Sequence, residues 1–173
     1  MFIDASALTA MLTNEDEARE LLARVQQSTT RLTSPLAVWE AAIAIARVLD
    51  LPIAAAAEAV ESYLALMEIK MVNVAPETAR IALKAYDRYG KGRHPARLNF
   101  GDCFAYACAR HLGEPLMFKG ADFPHRGGLT SATIEASLSV AEVMNVDSRE
   151  ATEPALGSQP DSHDDSRPGR RGL

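Results

Sequence analysis

Apolar residues follow two rhythms along this chain. Four brief runs read as strands, being too short for helices, the first and the last of them buried: Phe2-Ile3, Leu32-Thr33 behind Arg31, residues 70–74 and residues 115–118. Between them the apolar positions recur every three or four residues. That spacing predicts a helix over 5–12. A second opens at residues 14–17, where Asn14 and Glu17 have capping-box spacing and Ala18, Leu21, Leu22 and Val25 supply the stripe. Ser34-Pro35 is a helix start, with Ser as N-cap and Pro at the first helical position; that helix runs to Leu49 before Leu51-Pro52 breaks it. An alanine-rich helix follows over 52–67. Pro76 opens another that ends near Tyr89-Gly90, and Asn99 caps one that is apolar almost all round from Phe104 to Ala109. Strands alternating with helices imply an α/β fold, a central parallel sheet flanked by helices on both faces. Beyond Arg126 the pattern decays. One more helix is expected over 134–146. Residues 148–173, rich in Pro, Ser, Gly, Asp and Arg, predict disorder, so the expected division is a domain over 1–146 and a polar tail over 147–173.

Charge and cysteine usage narrow the classes. With 173 residues and a net charge of -5, the chain can bury a proper core but does not bind nucleic acid through bulk charge. No apolar run reaches the length of a membrane span, and no basic region precedes an apolar stretch at the N-terminus, so a cytoplasmic protein is expected. Cys103 and Cys108 lie five apart on one predicted helix, which is neither a metal knuckle nor a redox pair; both are expected to be reduced packing residues. Positive charge is concentrated locally. Arg80, Lys84 and Arg88 share a helix face, and Lys91, Arg93, His94 and Arg97 continue the run up to Asn99. A solvated face and a phosphate contact explain that run equally well.

Candidate chemistry rests on four acids. Asp4 ends the first strand, where open α/β sheets place their sites, but it suits a cap for the helix that follows just as well. Ser6, two residues on, can hydrogen-bond at the same mouth. Glu40 stands inside an apolar helix beside the only tryptophan, Trp39, either as a site acid or on the helix's solvated side. Asp102 falls three residues after Asn99, as a cap or a ligand. Asp122 follows the strand at 115–118. Brought together, four carboxylates repel one another, and a hard divalent cation such as Mg²⁺ or Mn²⁺ is the natural compensation. Such a site suits phosphodiester hydrolysis. The histidines His94, His111, His125 and His163 have no metal-ligand spacing, and no phosphate-binding glycine loop is present.

These residues fall in four stretches: residues 2–8 (Phe-Ile-Asp-Ala-Ser-Ala-Leu), 34–40 (Ser-Pro-Leu-Ala-Val-Trp-Glu), 98–107 (Leu-Asn-Phe-Gly-Asp-Cys-Phe-Ala-Tyr-Ala) and 116–123 (Leu-Met-Phe-Lys-Gly-Ala-Asp-Phe). In that order and spacing the chain resembles PIN-domain ribonucleases, and among them the VapC toxins of bacterial toxin–antitoxin pairs. The resemblance implies a PIN-like three-layer fold and an Mg²⁺-dependent endoribonuclease. It implies that Asp4, Glu40, Asp102 and Asp122 hold the metal, with Ser6 in support. It further implies an RNA substrate such as transfer RNA, a homodimer, and inhibition by a VapB-type antitoxin, with operator DNA reached only through that antitoxin. The match departs after Phe123, where Arg126 and Gly127 replace a Thr-Asp pair usual in the family. Losing such a bordering acid typically costs ~10–100-fold in metal affinity or activity. A different reading follows from that departure: a weakened or inactive PIN module that only binds its antitoxin. A haloacid-dehalogenase-like phosphatase is a third reading, and it fails because Ser6 stands where that chemistry needs a second Asp.

Overall fold

In the computed structural model, residues 1–119 are described. Asp122, the helix expected over 134–146 and the tail over 147–173 lie outside them. The elements in chain order are β1 (Phe2–Ile3), α1 (Ala5–Leu12), α2 (Ala18–Gln27), β2 (Leu32–Thr33), α3 (Pro35–Leu49), α4 (Ile53–Leu66), β3 (Lys70–Met71), α5 (Thr78–Tyr89), α6 (Phe100–Leu112) and β4 (Leu116–Met117). All strand pairs are parallel, and the sheet order is β3-β2-β1-β4. The expected α/β architecture is therefore what the chain adopts.

Side-chain alternation along the strands builds the three layers. Phe2 and Ile3 are both fully buried but point to opposite faces, as neighbours on a strand must. Ile3 and Met117 join the core made with α1, α2, α3 and α4. Phe2 and Leu116 pack instead against Ala105, Cys108 and Ala109 of α6, on which α5 rests. Alanines make these approaches close. On α3 the buried stripe is Ala37, Ala41, Ala42, Ile45 and Ala46, and on α4 it is Ala56, Val60 and Leu64.

Helix starts follow the local chemistry in two places and depart from it in a third. Ser34 Oγ accepts from the Ala37 N–H at 3.2 Å, with Pro35 opening α3. Asn99 and Asp102 form a reciprocal capping box on α6. The capping box expected at Asn14 and Glu17 does not form. Asn14 takes a left-handed conformation with φ 54°, Glu15 N–H bonds back to Ala10 C=O at 3.0 Å, and α2 begins only at Ala18. The tight turn after α1 thus captures residues whose spacing alone reads as helix.

Candidate active site

The chain runs from β1 outward to β2 and β3, then returns to place β4 on the other side of β1. The carboxyl ends of β1 and β4 therefore flank a point where the strand order reverses, which is where open parallel sheets form their clefts. A cavity of about 490 Å³ opens there, lined among others by Asp4, Ser6, Glu40, Asp102, Glu15 and Lys119.

Asp4 is the innermost acid, 5 % exposed. Its Oδ2 accepts from the Ser6 N–H at 3.1 Å and from Ser6 Oγ at 2.7 Å, so it caps α1 and faces the cavity at once. Ser6 Oγ in turn accepts from the Lys119 N–H at 3.0 Å. One hydroxyl thus ties the mouth of β1 to that of β4 and fixes the Asp4 carboxylate in direction. Asp102 has the same double duty: its Oδ2 accepts from the Asn99 N–H at 2.7 Å and its own N–H donates to Asn99 Oδ1 at 3.1 Å. Cap and cavity acid are not alternatives at either position.

Glu40 reaches the cavity from α3 and is half-buried. Burial raises its pKa above the ordinary 4.5, and the charges of Asp4 and then Asp102 raise it further. Its carboxylate lies directly over Gly101 of α6, in space that a Cβ at that residue would fill. Burial and Asp102 also push the Cys103 thiol up to about 11. Cys103 and Cys108 are buried and free, which suits inert packing residues.

Of the four sequence-predicted acids, Asp4, Glu40 and Asp102 share this cavity, and Asp122 lies outside the described residues. Three participants were not legible as such. Glu15, read from sequence as a solvated acid of a helix start, lines the cavity and pairs with Lys119. Trp39, noted from sequence only as the neighbour of Glu40 in an apolar helix, is 65 % exposed at the cavity rim. Gly101 leaves the void that Glu40 fills, and only the neighbouring capping motif marks its position. The lining carries the acids Asp4, Glu15, Glu40 and Asp102 against the bases Arg47 and Lys119.

The site donors are carboxylate oxygens, the set a hard divalent ion selects. Among the described residues no three acidic, histidine or cysteine side chains are already gathered around one point. Mg²⁺ characteristically takes one or two carboxylates directly and keeps several waters, so acids lining a cavity can hold it partly through water, without a preformed cage.

A family profile for the PIN domain matches residues 1–129. The chain is a PIN-domain protein. Its relatives place it among the VapC ribonucleases. It is 41 % identical over 125 residues to Ribonuclease VapC30 of Mycobacterium tuberculosis, an alignment covering 72 % of this chain and 93 % of that protein. It is 42 % identical over 123 residues to Ribonuclease VapC of Mycolicibacterium smegmatis, covering 71 % and 93 %. The crystal structure of the sarcin-ricin-loop-cleaving toxin VapC20 of Mycobacterium tuberculosis superposes with a TM-score of 0.56, covering 75 % of this chain and 96 % of that one. At 16 % identity that likeness speaks for the fold, and it agrees with the three layers described above.

Proposed function

We propose that this VapC-family protein is a divalent-metal-dependent endoribonuclease, Mg²⁺ or Mn²⁺ serving as the ion, and the toxin of a toxin–antitoxin pair. One observation carries the reading: Glu40 shares a cavity with Asp4 and Asp102, where burial first, and then those two charges, raise its pKa. Structural acids are spared such a cluster, because each added like charge opposes ionisation of the others. Asp4, Glu40 and Asp102 hold the ion in this reading, with Asp122 as a fourth acid, each directly or through the ion's waters. When bound, the ion acidifies a water and offsets negative charge developing on the phosphoryl group. The chain's own residues do the positioning. Ser6 occupies Asp4 Oδ2 with two hydrogen bonds and so fixes a carboxylate that lines the cavity. The Asn99 cap fixes Asp102 in the same way. Glu40, which caps nothing, is the member free to adjust.

The partners follow the same logic. The end of α3 and the start of α4 expose Val48, Leu49, Leu51 and Ile53, an apolar surface that supports a protein partner such as a VapB-type antitoxin or a second copy of the chain. The binding-only reading is the less favoured one, since a module without chemistry gains nothing from three repelling acids. No helix among the described residues is long and apolar enough to cross a membrane, and a cytoplasmic site of action is part of this proposal.

The deciding experiment uses purified, antitoxin-free protein and a total RNA pool, with Mg²⁺ or with EDTA, beside Asp4→Asn and Asp102→Asn. Metal-dependent cleavage lost in both variants is the expected result. A folded wild type that cuts no RNA would overturn the assignment and favour the binding module.

A further inference from the structure

The basic segment between α5 and α6 is built as a fixed ledge. From Arg88 to Gly101 the chain carries Arg88, Lys91, Arg93 and Arg97 and no acid, within a protein whose net charge is -5. Backbone bonds zip its two ends: the Lys91 N–H donates to Leu98 C=O at 3.0 Å and the Leu98 N–H to Tyr89 C=O at 3.0 Å. Inside the loop, the Arg93 and His94 N–H groups both donate to Gly90 C=O, and the Ala96 N–H donates to His94 Nδ1 at 3.0 Å. Ala96 and Leu98 are buried in the core formed with α5 and α6, which anchors the loop from below. Arg97 is held with φ 52°, in the left-handed region. A non-glycine residue persists there only where its surroundings over-determine it.

Rigidity of this kind leaves the basic side chains outside. Lys91, Arg93 and Arg97 are exposed and, with His94, border an open concavity of about 500 Å³. Arg93 is partly neutralised by Asp87 at 2.7 Å, whereas Lys91 and Arg97 have no side-chain partner among the described residues. Three residues past Arg97 stands Phe100, 64 % exposed, its ring 4.7 Å from that of Phe104. Phe100 is the first residue of α6, and Asp102 of the acidic cavity is the third. The order along the backbone is therefore cations, an exposed aromatic ring, then the site acid.

We infer that this ledge binds the single-stranded RNA segment that leads into the acidic cavity, Lys91 and Arg97 contacting phosphates and Phe100 stacking a base. Cations alone suit any polyanion. An exposed ring next to them selects a polymer with unstacked bases, because bases of single-stranded RNA stack on aromatic side chains while phosphates pair with the basic groups. A cluster of acids repels that same backbone, so a cationic approach beside the cavity is what RNA requires to reach it. The inference rests on the proposed ribonuclease function for the identity of the polymer, but not on any residue of the cavity.

The test is binding, not cleavage. A fluorescein-labelled single-stranded oligoribonucleotide of mixed sequence is titrated with full-length protein in EDTA, by anisotropy, across a KCl series. For a single strand, each phosphate that the protein ceases to neutralise makes the slope of log affinity against log salt shallower by ~0.7, so Lys91→Gln/Arg97→Gln is expected to change it by ~1.4 and to weaken binding roughly 25-fold near ~0.1 M salt. Phe100→Ala should weaken binding at least about fivefold with the slope unchanged. Arg19→Gln/Lys70→Gln, an equal loss of charge at exposed positions of α2 and β3, should leave the slope as it is. Equal slopes in the two double variants would overturn the inference, as would a wild type that binds no RNA. So would a Lys91/Arg97 variant that binds RNA normally but loses an antitoxin, since the ledge would then be a protein-docking surface. Binding that depends on the ledge in a protein that does not cleave would leave this inference standing and sink the nuclease assignment alone.

Discussion

Gly101→Ala separates the chemistry of this site from its stability. A methyl group at Gly101 would stand 2.5 Å from Cδ of Glu40 and closer still to both carboxylate oxygens. Carbon atoms pack at about 3.5–4.0 Å, so the carboxylate must retreat by at least ~1 Å. The atoms in the way are the far end of a flexible side chain, and α6 itself need not move. A misplacement of ~1 Å at a reacting centre costs roughly 10²-fold, or ~2.7 kcal/mol of transition-state stabilisation. Folding responds differently. Gly101 lies in the first turn of α6, where Ala is favoured over Gly by ~0.5–1 kcal/mol, and an off-rotamer Glu40 returns about the same. The expected outcome is kcat/KM on single-stranded RNA down about 100-fold, with the thermal midpoint moved by no more than a few degrees. Glu40→Asp draws the carboxylate back by about one C–C bond, ~1.5 Å. The double variant Gly101→Ala/Glu40→Asp should therefore be more active than the two single losses multiplied together predict. Wild-type kcat/KM in Gly101→Ala, within a factor of two, would refute the idea that this glycine positions Glu40.

Other consequences follow from the same contacts. Because the folded state raises the Glu40 pKa, it binds more protons than the unfolded chain above the ordinary 4.5, so this group costs stability increasingly as pH rises through that window. Glu40→Gln should thus raise the thermal midpoint of metal-free protein near about pH 7.5 and not near about pH 4, while abolishing cleavage; a gain of equal size at both pH values would remove the electrostatic explanation. Ser6→Ala deletes the 2.7 Å bond to Asp4 and strands the Lys119 N–H. We expect activity down ~10–100-fold and about 1 kcal/mol of stability lost in chemical denaturation. At α6 the two members of the capping box should divide: Asn99→Ala costs about 1 kcal/mol in urea unfolding, whereas Asp102→Asn keeps an acceptor for the Asn99 N–H and loses activity instead. Equal activity losses in that pair would mean that the cap, not the charge, is what the site needs.

What could be read in advance divides by the range of the interaction. The Ser34-Pro35 start and the Asn99–Asp102 box are local chemistry, settled within four residues, and both appear as written. Strand order is not local, and no periodicity tells that β4 pairs with β1 instead of β3. Asn14 and Glu17 show that even a local signal yields when a tight turn offers Glu15 a backbone partner. Trp39 marks another boundary. It shares a stripe with Ile43 and Arg47, whereas the core takes Ala37, Ala41 and Ile45, and on an alanine-rich helix with apolar residues on both stripes the sequence does not say which faces inward. The void at Gly101 exists only because α3 and α6 meet, so only the fold reveals it.

The three described acids are held by different means, and the difference explains where the strain lies. Asp4 and Asp102 each commit one oxygen to backbone N–H at a helix N-terminus, and those bonds fix both carboxylates in direction. Glu40 has no such support. It stands mid-helix with its head in a glycine-sized void, and the desolvation and repulsion of the cluster fall on it. A cavity arranged this way has two preorganised ligands and one responsive ligand. A cation entering it offsets the repulsion that, after burial, raises the Glu40 pKa, so metal binding should pull that pKa down and release a proton in the pH window between the lowered and the raised value. Calorimetry of Mg²⁺ or Mn²⁺ binding in two buffers of different ionisation enthalpy reads that proton directly. Its loss in Glu40→Gln, with binding retained, would identify Glu40 as its source. A proton released equally by wild type and Glu40→Gln would move the strain to another acid and undo this division of labour.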